Sequence, residues 1–160
     1  MNIKTVGALA MLALLAAACS EDKPMTTGQT TGAAAAAAPG IAPGSEEDLK
    51  TNVGDRVFFD FDKSNVRADG KDVLDRQAAW LGKYGQVNVQ IAGNCDERGT
   101  EEYNIALGQR RANSARDYLV AKGVASGRIT TISYGKDRPT ALGSNEDAWK
   151  QNRNAITEVK

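Results

Sequence analysis

The sequence predicts an α+β domain with the element order β-α-β-α-β-(α)-β, a sandwich in which helices pack on one face of a mixed sheet. Three observations lead there. Short apolar runs rich in Val, Ile, Phe and Tyr occur around residues 57–61, 87–91, 129–134 and 155–159. Between the first three runs lie two longer segments whose apolar residues recur at three- and four-residue spacing. All of this follows residue 51, where small and polar residues give way to the composition of a globular domain of about 110 residues, an ordinary size for one core.

Val57-Phe58-Phe59 and Phe61 form the first expected strand, and it reads as buried. Asp69 is the expected cap of a helix whose apolar positions Val73, Leu74, Ala78 and Leu81 keep the helical spacing until Gly82 or Gly85. Val87, Val89 and Ile91 alternate with Asn88 and Gln90, the pattern of a half-buried strand. Thr100 suits the N-cap of the second helix, Glu101 and Glu102 suit its positive dipole end, and Lys122-Gly123 suits its stop. Leu107, Ala112, Ala115 and Leu119 make its apolar stripe. Gly108, in mid-helix, costs ~1 kcal/mol relative to Ala; it marks either a close backbone contact or a merely tolerated small residue. Ile129 to Tyr134 reads as a third strand, 145–151 as a short helix around Trp149, and Ala155 to Val159 as the last strand.

The chain opens with an export signal. A short positive start at Lys4 precedes the apolar or small residues Val6 to Ala18, too few for a membrane span of ~20 residues. Ala16, Ala17 and Ala18 then lead into Cys19. That arrangement resembles the lipobox of bacterial lipoproteins, whose cysteine is acylated and becomes the mature N-terminus. Ala16 stands where the pattern usually has leucine, and an ordinary signal cut near an Ala-x-Ala site is the alternative. Ser20, a non-acidic residue after the cysteine, implies sorting to the outer membrane. Residues 19–50, rich in Ala, Thr, Gly and Pro, hold too few large apolar side chains to repay ordering. They read as a tether, with an r.m.s. reach of roughly 30 Å and an extended reach of up to ~100 Å. The expected organisation is therefore signal 1–18, lipidated N-terminus and tether 19–50, and folded domain 51–160.

Composition excludes several functions. The chain carries 20 basic and 20 acidic residues; loss of residues 1–18 removes Lys4 and leaves 19 against 20. That balance lacks the basic field of a nucleic-acid binder. The absence of histidine excludes His-based triads and most zinc sites. With Cys19 lipidated, Cys95 has no intrachain cysteine to pair with.

The chemistry concentrates in Gly93-Asn94-Cys95-Asp96-Glu97-Arg98-Gly99-Thr100 and the helix that follows. Arg111 flanks that helix's apolar stripe, four residues after Leu107, while Asp96 and Arg98 sit on the loop feeding its start. Spacing alone favours Asp96 and Arg111 pairing with each other or capping the helix. Convergence on a ligand pocket is the alternative. Asp60 and Asp62 raise a glycosidase-like reading, because two residues apart on a strand they share a face. No strongly apolar setting or nucleophile–base pair supports it.

Asp96-Glu97-Arg98-Gly99-Thr100 and Asn104-x-x-Leu107-x-x-x-Arg111-Ala112, with Phe59-x-Phe61-Asp62-Lys63, Ser133-Tyr134-Gly135 and Asn152-Arg153 in support, resemble the OmpA-like peptidoglycan-binding domain. The resemblance spans essentially residues 53–159. It implies non-catalytic binding of the diaminopimelate side chain of the peptidoglycan stem peptide, with no cofactor and no metal. It makes Asp96 and Arg111 the main ligand residues, with Asp62, the Phe61 backbone, Arg98, Asn104 and Leu107 lining the rest. Diaminopimelate carries an ammonium and a carboxylate on one carbon, which suit an aspartate and an arginine fork respectively. For a lipid-anchored member, the resemblance further implies an outer-membrane tether to the cell wall with TolB and other Tol proteins as partners. Asn94-Cys95 and Asn154 depart from the family pattern, so the pocket floor and any role of a second arginine at 154 do not carry over.

Overall fold

The computed structural model describes residues 40–160. The leader, Cys19 and the tether up to residue 39 lie outside the described residues. Strands β1 (Arg56–Phe58), β2 (Val89–Asn94), β3 (Ile129–Gly135) and β4 (Asn154–Val159) form one sheet in the order β1-β4-β2-β3. β4 runs antiparallel to both β1 and β2, whereas β2 and β3 are parallel and need a crossover, which helix α3 (Glu101–Ala121) supplies. Helix α2 (Ala68–Lys83) joins β1 to β2.

One face of the sheet packs against both long helices. Val57, Val89, Ile91, Ile129 and Ala155 share a buried cluster with Leu74 and Leu81 of α2 and with Ala112, Ala115 and Leu119 of α3. On the same face the Thr157 hydroxyl donates to Gln77 Oε1 at 2.9 Å, and Gln109 Nε2 donates to Thr131 Oγ1 at 2.9 Å. The predicted α+β architecture, a mixed sheet with helices on one face, is the observed one.

The ends of α3 follow from sequence chemistry. Thr100 Oγ1 accepts from the Tyr103 N–H at 3.2 Å. At the other end Gly123 adopts φ +98°, its N–H bonds to Val120 O, and the Val124 N–H bonds to Leu119 O, with Val124 buried. This pair of bonds is a Schellman stop, and the left-handed residue it requires is glycine. Helix α4 (Glu146–Asn152) starts at Asn145, whose side chain accepts from the Ala148 N–H at 3.0 Å.

Three details differ from expectation. The packed body begins before residue 51: α1 (Glu46–Asp48) and a following π-helical turn (Leu49–Val53) lie on it, with Leu49 fully buried. One leucine and one aspartate in a polar stretch anchor this piece, too sparse a signal to stand out in composition. Asp69 is not the cap of α2; Arg67 holds that position, and Asp69 lies in the first turn, ion-paired to Arg67. Finally, β1 ends at Phe58. Phe59 remains buried, but a turn closed by the Lys63 N–H on Asp60 O follows, Asp62 takes φ 55°, and Phe61 is 58% exposed. Asp60 and Asp62 therefore lie on a turn rather than on one strand face.

Candidate functional site

The end of β2 builds the site. The β2–β3 register slips between Gly93 and Asn94, so that Asn94 faces Gly135, and the Cys95 N–H then donates to Gly135 O at 2.7 Å. The slip turns the chain out of the sheet and into the loop 95–99. Gly99, at φ +92°, closes that loop onto the Thr100 cap. Asn104 pins it from the helix side, its Nδ2 donating to Arg98 O at 2.8 Å and Thr100 O at 3.0 Å. The buried Asn104 is thus a loop clamp as well as a cleft residue.

Phe61, Asp62, Asp96, Arg98, Asn104, Leu107 and Arg111 all line one cleft of about 210 Å³. Cys95, Gly99 and Tyr103 complete it. Tyr103 is the functional candidate that sequence reading passed over: its hydroxyl donates to Asp62 Oδ1, linking the turn after β1 to the start of α3.

Arg111 is only 1% exposed, yet none of the ion pairs among the described residues includes it. Backbone carbonyls hold it instead. Nε donates to Lys63 O at 2.9 Å, Nη1 to Asn94 O at 2.8 Å and Cys95 Sγ at 3.4 Å, and Nη2 to Asp60 O at 3.2 Å. Four of the fork's five N–H groups are so engaged, one short of its capacity. Burial pushes the guanidinium below its ordinary pKa, while Cys95 and Asp96 act in the opposite sense. A buried cation at the wall of a cleft, with no carboxylate partner among the described residues, is chemically able to take an anion.

Asp96 is also buried, at 4% exposure, but it is paired, and not with Arg111. Oδ1 accepts from the Arg98 N–H at 3.2 Å and Arg98 Nε at 3.0 Å; Oδ2 accepts from Arg98 Nη2 at 2.7 Å and Arg153 Nη1 at 3.3 Å. Burial raises the carboxyl pKa, but the Arg98 and Arg153 bonds outweigh it, and Asp96 lies below the usual carboxylate range. The pairing that spacing favoured is therefore replaced by two arginines, one from the loop and one from beyond α4. Arg153 carries the second of these roles, which its place in a sequence motif did not disclose.

The two departures at 94 and 154 meet each other. Asn94 Nδ2 donates to Asn154 Oδ1 at 2.8 Å, and Asn154 Nδ2 donates to Gln151 O and Thr140 Oγ1. The pair fixes the strand end whose carbonyl holds Arg111.

The chain matches the OmpA family over residues 58–153. It is 50% identical over 152 residues to the peptidoglycan-associated lipoprotein of Mesorhizobium japonicum, spanning 94% of this chain and 89% of that one. It is 55% identical over 115 residues to the peptidoglycan-associated lipoprotein of Rhizobium meliloti, a match that covers 72% of this chain and 65% of the relative. Its fold superposes on the crystal structure of the peptidoglycan-associated lipoprotein from Burkholderia pseudomallei with a TM-score of 0.65 and 42% identity, over 66% of this chain and 90% of that one.

Proposed function

This chain belongs to the OmpA family, and on that premise we propose that it is a lipid-anchored, non-catalytic tether that holds the diaminopimelate side chain of peptidoglycan in the cleft around Arg111. The single observation that carries the reading is Arg111 itself, fully buried in the cleft wall without a carboxylate partner among the described residues. A ligand carboxylate supplies the missing charge and takes the remaining fork donor. The ligand ammonium lies toward Asp96 and Asp62. All four acceptor directions of Asp96 are occupied, so an ammonium takes over a position that an arginine holds in the free protein. Leu107 packs on the aliphatic stem.

The rest of the reading follows the relatives. Peptidoglycan association is in the name of the relatives that match nearly the whole chain. Acylation at Cys19 would fix the protein to the outer membrane, and the tether would bring the domain to the wall; two or more acyl chains give durable anchoring. TolB and the other Tol proteins are the proposed protein partners, and envelope integrity during division the proposed role.

Co-sedimentation with purified sacculi tests the pocket. Arg111→Ala and Asp96→Ala variants that remain folded are expected to stay in the supernatant while the parent pellets. Undiminished pelleting of both overturns the reading. The same incubation addresses hydrolysis, since soluble muropeptides released in a manner dependent on Asp60, Asp62 or Asp96 would mark an enzyme.

A further inference from the structure

We propose that Trp149 is a positioning residue for the peptidoglycan cleft, acting through Arg98; this rests on the pocket reading above. The guanidinium carbon of Arg98 stands 4.1 Å from the ring centroid of Phe61 and 4.1 Å from that of Trp149. The side chain is thus flanked by two aromatic rings contributed by the turn after β1 and by α4. Its edge meanwhile grips both oxygens of Asp96 through Nε and Nη2. Arginine stacks and forks at once because its charge is spread over a plane, which leaves faces for rings and edges for carboxylates.

Of the two rings, Trp149 is the anchored one. Phe61 is largely exposed and sits on a turn, so its position constrains Arg98 weakly. Trp149 is half-buried, on a capped helix, and its Nε1 donates to Glu97 Oε1 at 3.0 Å, next to Arg98 in the chain. The same helix region steadies Asp96 from the other side, where Arg153 donates to Asp96 through Nη1 and to Glu146 Oε1 through Nη2 at 2.8 Å. Trp149 therefore decides where the Arg98 plane stands. Among the described residues Arg98 Nη1 donates to no acceptor, and Arg98 lines the cleft, so the stack also holds a spare donor at the ligand's edge. Without Trp149 the long arginine regains its rotamers, and both the Asp96 clamp and that donor lose their fixed direction.

Titration of the protein with a soluble diaminopimelate-containing muropeptide, in a two-by-two series of Trp149→Ala and Arg98→Ala, separates this role from general stabilisation. Trp149→Ala is expected to weaken binding about fivefold to tenfold, Trp149→Phe, which keeps a ring face but not the bond to Glu97, to recover part of that loss, and Trp149→Ala to add less than about twofold once Arg98 is alanine. Trp149→Leu, with apolar bulk but no ring face, replaces the alanine variant if that does not fold, and the same loss is expected. Unchanged binding in Trp149→Ala or Trp149→Leu, or a full loss added on top of Arg98→Ala, overturns the inference. Arg111→Ala, titrated in parallel, tells the two readings apart: if it binds normally, the pocket reading itself fails.

Discussion

Gly93 of β2 and Gly108 of α3 meet backbone to backbone. A Cβ on Gly93 would stand 1.8 Å from Gly108 O, and one on Gly108 would stand 2.3 Å from Ser133 Oγ and 2.7 Å from Gly93 O. The mid-helix glycine that costs α3 intrinsic stability thus lets the helix lie directly on the strand that ends in Asn94. Arg111, three residues on, is brought against the carbonyl it binds.

Gly93→Ala is therefore expected to destabilise the domain by about 3 kcal/mol or more, because backbone rather than a mobile side chain blocks the added methyl. Gly82→Ala, in α2 with nothing within 4 Å of its Cβ, is expected to be neutral or stabilising by up to about 1 kcal/mol. Chemical denaturation of the two variants checks the contrast; equal effects would remove the close-approach explanation.

Leu49→Ala should cost about 2–5 kcal/mol despite lying in a stretch that composition assigns to the tether. A shift of the denaturation midpoint within experimental error would show that residues 46–53 are not part of the cooperative unit.

Asp48 makes stability pH-dependent. Bonds from Asn52 Nδ2, the Gly44 N–H and Trp80 Nε1 hold its carboxyl at about 2, against ~3.9 in an unfolded chain. A folded-state pKa below the unfolded one contributes stability that is complete above about pH 4 and is lost as pH falls toward 2. Thermal midpoints of the parent should drop through that window, and Asp48→Asn should flatten that part of the profile while lowering the midpoint at neutral pH. Parallel profiles for the two would exclude Asp48 as the source.

Cys95 is a free, buried thiol whose burial raises its pKa more than Arg111 lowers it. Alkylation is expected to be slow in the native protein and fast once it is unfolded, since the thiolate is the reactive form. Equal labelling rates in the two states would place the thiol at the surface.

The sequence disclosed the parts of this molecule that local chemistry decides. Helix α3 was legible from its Thr100 cap, its acidic first turn and its glycine stop. Strand β2 was legible from its alternation, the other strands from their apolar runs, with the first read too long, and the site residues from a motif whose members converge on one cleft. What stayed hidden depends on distant partners. Arg111 finds its acceptors on Asp60, Lys63 and Asn94, backbone atoms that residue identity does not advertise. Phe61 is as apolar as Phe59, yet the turn between them sends one outward and the other into the core. Asn94 and Asn154 pair only because β2 and β4 are antiparallel in that register, and Arg153 reaches Asp96 only through the return of β4 to the middle of the sheet.

The central claim is that Arg111 receives the ligand carboxylate, and calorimetric binding of one soluble muropeptide in two forms, diaminopimelate carboxylate free and amidated, tests it most directly. The parent protein is expected to prefer the free acid by about tenfold or more, the worth of a charge-assisted hydrogen bond, and Arg111→Lys is expected to lose much of that preference with the fork. Equal affinity of the parent for both forms would contradict the account.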